Sequence, residues 1–385
     1  MLNILIPKEI KDGETRVAAT AETVKKLIEM GASVVVEAGA GKLSYISDDD
    51  FKQAGAKVEK DIKKAFANAD IILKVNQPVK NELDLVKDGS VWISSMVPQV
   101  ELDSIKKALD KKITLFSMNL IPRISRAQKM DALTSQSNIA GYKAVLLAAE
   151  KLGKFFPLLM TAAGTIQPAK VVVLGAGVAG LQAIATAKRL GAQVEASDIR
   201  PVVKEQVESL GGKFIEVEPD ENAEDEGGYA KAASKDYLKR QAEEVKKRIK
   251  VADVVISTAL IPGRKAPVLI TKEMVKSMNP GSVIVDLAVE MGGNCELSEC
   301  NKTVVKEGVI IVGEPNIPAT VPVHATEMYA KNIFNFVSCM IKDKKLNLDM
   351  EDEVIAKSLV VKDGEIVFEP VKELLGGKKW FHCLL

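Results

Sequence analysis

Short apolar runs recur along this chain with room for one helix between each pair: LNILI at 2–6, SVVVE at 33–37, DIILKV at 70–75, SVWISS at 90–95 and KITLF at 112–116. β-Branched runs alternating with helical patterns are the mark of parallel sheets covered by helices. A second series, VVVLG, QVEAS, KFIEV, ADVVIS, SVIVD and VIIVG, follows from residue 170 onward. The pattern predicts an α/β fold with two doubly wound, Rossmann-like sheets. Residues 134–153, TSQSNIAGYKAVLLAAEKLG, present small and apolar side chains around much of a helical surface and suit a crossing between domains. A second long helix is predicted at about 324–341. As a return crossing, it would let the C-terminal segment complete the first domain. The expected domains are 1–133 plus 320–385, and 134–319, with a ligand in the cleft between them, beyond the carboxyl ends of the strands.

Chemistry enters at VVVLGAGVAG, residues 171–180, where an apolar strand runs directly into G-x-G-x-x-G. A helical stretch (Leu181 to Leu190), a second strand (Gln193 to Ser197) and an acidic residue, Asp198, follow in the order a dinucleotide site requires. Gly175 permits the tight turn, Gly177 lets backbone approach a pyrophosphate, and Gly180 allows close helix–strand packing. The N–H groups at the helix start receive the phosphate charge. The bland alternative is a glycine turn in a non-binding α/β unit. A carboxylate at Asp198 accepts from ribose hydroxyls and repels a 2′-phosphate, which favours NAD(H) over NADP(H). Arg200 works against that preference if it meets a 2′-phosphate; alternatively it faces solvent or the cofactor's own phosphates.

Composition narrows the class. With 385 residues, 47% hydrophobic and 27% charged, the chain is long enough for two separately cored domains. A net charge of +1 without a basic arm argues against nucleic acid. No run reaches the ~20 apolar residues needed to span a bilayer, so a cytoplasmic protein is expected. The cysteines (Cys295, Cys300, Cys339, Cys383) and histidines (His324, His382) have no metal-ligand spacing, so no metal is expected. EAGAGKLS resembles a phosphate loop but fails it, since Val36 stands where the first glycine is needed and Leu43 follows Lys42. The acidic stretch 216–228, EVEPDENAEDEGG, leads into Tyr229 and reads as a long loop: a solvated insertion, or a lid over a nucleotide.

Three segments taken together resemble the NAD(H)-binding component of proton-translocating nicotinamide nucleotide transhydrogenase, over essentially the whole chain. They are PRISRAQKMDALTSQSNIAGYKAV at 122–145, VLGAGVAGLQAIATAKRLGAQVEASD, and STALIPGRKAPVLIT. The same superfamily includes alanine dehydrogenase. In those enzymes an arginine and a lysine hold the substrate, and a histidine and an aspartate perform acid–base work. Arg16 and Lys74 match the first two, but Met96 occupies the histidine position and Glu290 the aspartate position. Methionine cannot exchange a proton, and a general acid–base group contributes ~10² to 10⁴ in rate, so amino acid deamination should be severely impaired.

Hydride transfer between nicotinamide rings instead needs alignment and exclusion of water. The resemblance assigns Arg123 to the carboxamide and ribose of the bound nucleotide, Gln128 to a bridge toward the second nucleotide, Asp131 to orienting that group, and Thr134 to the ring. Without it, Arg123 and Asp131 would read as a surface ion pair. The resemblance also places Val178 beneath the nucleotide, Asp198 on the adenosine ribose, Thr258, Ala259 and Leu260 beside the adenine, and Tyr229 in a mobile lid. His324 is expected to cap or pack at the return helix. Implied partners are an NADP(H)-binding subunit and membrane proton-channel subunits, with a homodimer peripherally attached to the cytoplasmic face of the inner membrane. VKDGEIVFEPVKELLGGKKWFHCLL should form a strand pair and a tail, without the membrane helices of fused relatives, which implies a split enzyme or a shortened chain. Two alternatives stand beside this reading: an alanine dehydrogenase-like enzyme, and a non-catalytic NAD-responsive binding protein.

Overall fold

The computed structural model describes residues 1–217, 235–261 and 263–376. The chain divides into two compact units, Met1–Gln136 with Ala319–Leu385, and Ser137–Pro318. In the first unit β1 (Leu2–Ile6), β2 (Ala32–Glu37), β3 (Lys57–Glu59), β4 (Ile71–Leu73), β5 (Val91–Ser94) and β6 (Thr114–Ser117) run parallel in the order β6-β5-β4-β1-β2-β3. Ile4 and Ile6 enter one apolar cluster and Leu5 another. Burial on both faces explains why these strands read as continuous apolar runs rather than alternating ones.

The first strands of the second unit form a short antiparallel hairpin, β7 (Leu159–Thr161) and β8 (Gly164–Ile166), every residue of which is exposed. The apolar pattern carries no sign of it, because three-residue strands without a buried face have no periodicity. β9 (Lys170–Leu174), β10 (Gln193–Ser197), β11 (Lys213–Phe214), β12 (Val254–Ser257), β13 (Val283–Asp286), β14 (Lys302–Lys306) and β15 (Val309–Gly313) follow. They pair in the order β11-β10-β9-β12-β13-β15-β14, all parallel except β14 against β15. Val171 and Val173 serve one core and Val172 and Leu174 the opposite one.

Beyond the second unit come the hairpin β16 (Ile341–Lys342) and β17 (Lys345–Leu346), then β18 (Leu359–Lys362) and β19 (Glu365–Ile366). β18 lies antiparallel on β6, and β19 on β18, so the C-terminal segment completes the first sheet at eight strands.

Several sequence expectations are shifted. The long helix spans Ala132–Lys151, and the fingerprint helix, Val178–Arg189, starts immediately after Gly177. The return helix is Pro322–Ser338 and lies wholly in the first unit, since the chain re-enters that unit at Ala319. His324 is exposed in its first turn and neither packs nor caps, the N-cap being Val321. After β19 the chain forms a helix, Glu369–Gly376, where a tail was expected, its apolar Val371 being buried. Tyr229, most of the acidic stretch and residues 377–385 lie outside the described residues. No helix among the described residues is long and apolar enough to cross a membrane.

Candidate functional site

Three strands of the second sheet end in register, with Leu174 of β9 opposite Ser197 of β10 and Ser257 of β12. Strand order reverses direction on either side of β9, so the next residues, Gly175, Asp198 and Thr258, emerge together at the topological switch point. Gly175 N–H donates to Ser197 O and Thr258 N–H to Leu174 O, each at 2.8 Å. Gly175 has a φ of +94°, and the Thr258 hydroxyl donates to its carbonyl at 3.0 Å. A Cβ on Gly180 would stand 1.8 Å from Gly175 O. Both glycines are therefore demanded by the protein itself.

Gly177 is different. Its φ of −77° and ψ of −167° suit any residue, and a Cβ there would meet only Arg200 Nη2, at 4.0 Å. Nothing among the described residues requires a glycine at this place. The bare backbone leaves open space over a helix start that has no side-chain cap. Such a cradle of unsatisfied N–H groups fits the pyrophosphate of a dinucleotide.

Asp198 is buried, and its carboxylate is fully engaged. Oδ2 accepts from Ala176 N–H at 2.7 Å and Arg200 Nη2 at 2.9 Å; Oδ1 accepts from Arg200 N–H and Nε, both at 2.9 Å. Burial acts to raise its pKa, but the bonds from Arg200 and Ala176 outweigh it and hold the group below the usual carboxylate range. A carboxylate offers about four acceptor sites, so any further donor must displace one of these bonds. Arg200, whose side chain is 48% exposed, is the partner able to move. It pairs with the acid, an arrangement different from each of those its sequence position suggested.

The strip Thr258–Leu260 is fixed by Asn294, a fully buried residue that the sequence reading did not single out. Its Oδ1 accepts from Ala259 N–H at 3.0 Å, and its Nδ2 donates to Ala259 O at 2.9 Å and Pro267 O at 2.8 Å. Asn294 N–H in turn donates to buried Asp286, which also accepts from Ala288, Cys295 and Ser298. An acid at the end of a buried strand, followed by Gly-Gly-Asn, was the available signal. Leu260 is exposed.

Arg123, Gln128, Asp131 and Thr134 belong to the first unit. Gln128 sits on a 3₁₀ turn, Ser125–Met130, whose Ala127 and Met130 are buried. Arg126 forks onto Asp352. The side chains of Arg123 and Gln128 are exposed and make no hydrogen bond or ion pair among the described residues. Asp131 instead caps the long helix, accepting from Thr134 N–H at 2.8 Å and Thr134 Oγ1 at 2.6 Å. An Arg123–Asp131 surface pair does not form.

A buried charge cluster lies beyond the carboxyl ends of β1 and β4. Arg16 meets Glu14 through Nε at 2.8 Å and Nη2 at 2.7 Å, and Lys74 Nζ lies 2.5 Å from Glu82. Met96 is buried in an apolar core, and exposed Glu290 accepts from Asn316 N–H at 3.3 Å. Burial opposes ionisation of Glu14, but the bonds and charge of Arg16 prevail and lower its pKa from 4.5 to about 2. A depressed carboxylate stabilises the fold above its unfolded pKa and loses that contribution as pH falls through the folded one, here worth about 3 kcal/mol. Thermal stability should therefore decline between about pH 4.5 and 2. Glu14→Gln should flatten that decline while costing about 3 kcal/mol at pH 7, where Arg16 is left without its counter-charge. An identical acid limb in both proteins would assign the decline to other groups.

A parallel sheet with a glycine cradle at its switch point and a carboxylate one strand over defines a two-unit, Rossmann-like dinucleotide-binding protein. Comparison with known proteins narrows this. The family model described as Alanine dehydrogenase/PNT, C-terminal domain, matches residues 144–369, and its N-terminal counterpart matches residues 5–140. The chain belongs to the alanine dehydrogenase/PNT family. It is 50% identical over 375 residues to the first part of NAD(P) transhydrogenase subunit alpha of Rhodospirillum rubrum, covering 95% of this chain and 98% of that one. The solved transhydrogenase of Sinorhizobium meliloti matches with a TM-score of 0.86 at 46% identity, over 94% of this chain and 99% of its own. A solved L-alanine dehydrogenase matches with a TM-score of 0.83 at 29% identity, over 97% and 99%.

Proposed function

We propose that this chain is the NAD(H)-binding subunit of a proton-translocating transhydrogenase, working with a separate NADP(H)-binding subunit and with membrane subunits that carry the proton. The observation that carries this reading over amino acid oxidation is Met96. A buried methionine stands where alanine dehydrogenases have their acid–base histidine, and Arg16 and Lys74 are engaged by the protein's own carboxylates. High identity to transhydrogenase alpha subunits supports the same choice.

NADH, when bound, supplies a hydride that NADP⁺ on the partner subunit accepts, yielding NAD⁺ and NADPH. The chain's own residues bind and align. The Gly175–Gly180 turn and the start of the fingerprint helix hold the pyrophosphate, with Val178 beneath it. Asp198 takes the adenosine ribose and favours NAD(H), while Thr258, Ala259 and Leu260 flank the adenine. Arg123 holds the nicotinamide end, Gln128 bridges toward the partner's nucleotide, and Asp131 and Thr134 fix the helix start beside them. Exclusion of water and close approach supply the rate.

The subunit is further proposed to be a homodimer resting peripherally on the cytoplasmic face of the inner membrane. The exposed hairpin supports the dimer: Leu159, Met160 and Ile166 on its strands and Leu158 just before them face solvent, and among the described residues each strand pairs only with the other. Light scattering should give twice the chain mass, with deletion of residues 159–166 giving a monomer; a monomeric intact chain would end this strand of the proposal.

The deciding experiment is hydride exchange between NADPH and an NAD⁺ analogue of distinct absorbance, with the purified chain and an NADP(H)-binding transhydrogenase subunit. Rapid exchange that requires both proteins is expected. Demonstrated NADH binding without exchange, in the presence of a competent partner, would favour an NAD-responsive binding protein instead.

A further inference from the structure

Beneath the turn that carries Gln128 lies an amide in an otherwise apolar place. On the return helix, the buried positions Ala325, Tyr329, Asn332 and Phe336 form one core-facing stripe. An asparagine on such a stripe is tolerated only if both ends of its amide are paired. Asn332 Oδ1 accepts from Ser135 Oγ at 2.7 Å, and Nδ2 donates to the Lys129 carbonyl at 3.0 Å. The Ser135 hydroxyl also lies 3.0 Å from Ala132 O, the longer of its two acceptor contacts. Lys129 directly follows Gln128, and Ser135 lies in the first turn of the helix that Asp131 caps. One buried side chain thus ties the end of the 3₁₀ turn to the start of the long helix. Gln128 projects from a backbone held at the Lys129 carbonyl by Asn332, with a longer contact from exposed Asn335 Nδ2 at 3.4 Å, and at its other end by the Arg126–Asp352 pair.

We infer that Asn332 is a positioning residue for hydride transfer, holding the Lys129 carbonyl so that the Gln128 side chain is presented in one place. This rests on the transhydrogenase reading. An exposed, unpartnered glutamine can bridge to a second nucleotide only if its backbone is held, because small misplacements of an aligning group cost about 10²-fold in rate. Asn332 touches no nucleotide in this scheme and acts through Gln128 alone.

Two measurements test it. In the ligand-free protein, Asn332→Ala should speed amide hydrogen exchange across residues 125–131 at least ~10-fold, with distant segments unchanged. In single-turnover assays it should slow hydride transfer ~10- to 100-fold while NADH affinity stays within about twofold. Ser135→Ala, which removes only the hydroxyl paired to Asn332 Oδ1, should give a smaller loss in the same direction, and it carries the test if Asn332→Ala fails to fold. Because Asn332 acts through Gln128, Gln128→Ala combined with Asn332→Ala should be no slower than Gln128→Ala alone. Unchanged exchange across the turn, or rate losses that multiply in the double variant, would overturn the positioning role. Wild-type protein that transfers no hydride to a competent partner would overturn the functional reading instead.

Discussion

Gly177→Val is expected to leave the protein folded and to weaken NADH binding at least ~100-fold, a loss of about 2.7 kcal/mol. Both halves follow from the backbone at this position. Its backbone is extended with a negative φ, and a Cβ would find no neighbour among the described residues closer than Arg200 Nη2 at 4.0 Å. Stability should therefore change by less than about 1 kcal/mol. The added methyl groups occupy the space a pyrophosphate needs to reach the N–H groups of the helix start. Gly180→Ala makes the opposite comparison. Its Cβ would stand 1.8 Å from a backbone oxygen, so the turn and helix must separate, at a cost of several kcal/mol. Thermal melts with NADH fluorescence titrations distinguish the two. Undiminished NADH affinity in Gly177→Val would remove the dinucleotide from this turn altogether.

Gln128→Ala should slow hydride transfer about 10²-fold with the protein's thermal stability and NADH affinity nearly unchanged. The side chain is exposed and makes no bond among the described residues, so truncation removes nothing the fold uses. In the proposed role its loss falls on the alignment of two nucleotides, a contribution realised only when both are present. Arg123→Ala should differ in kind. In its proposed place at the nicotinamide end it would contribute to binding as well as to alignment, so its loss should raise the NADH dissociation constant as well as slow transfer. Single-turnover rates alongside equilibrium binding separate these outcomes. A Gln128→Ala rate equal to wild type, under conditions where transfer itself is limiting, would withdraw the bridging role.

Much of this architecture could be read from the chain because its strongest physical demands are local. A strand buried on both faces must be apolar throughout, which made β9, β12 and β13 visible. A turn in which a Cβ on Gly180 would stand 1.8 Å from a backbone oxygen admits no side chain, which made the fingerprint visible. What stayed hidden was pairing at a distance. Asn332 meets partners 197 and 203 residues away in sequence, and within an apolar helical pattern a single asparagine is indistinguishable from a solvent-facing one. Arg200 was legible as a cation near a nucleotide site, but its preference for Asp198 depends on how the turn at Ile199 folds the guanidinium back. The all-exposed hairpin at 159–166 has no inner face to impose a period.

The strand β18 sits between β6 and β19, although the whole second unit separates it from β6 in sequence. During synthesis from the N-terminus, the unit Ser137–Pro318 is complete as a contiguous stretch before any residue of β18 has been made. Until then β6 presents a bare sheet edge, and the core beside it lacks Val360 and Val361. An open edge of this kind can pair with other chains, so the interval between synthesis of β6 and of β18 carries an aggregation hazard that the arrival of β18 removes.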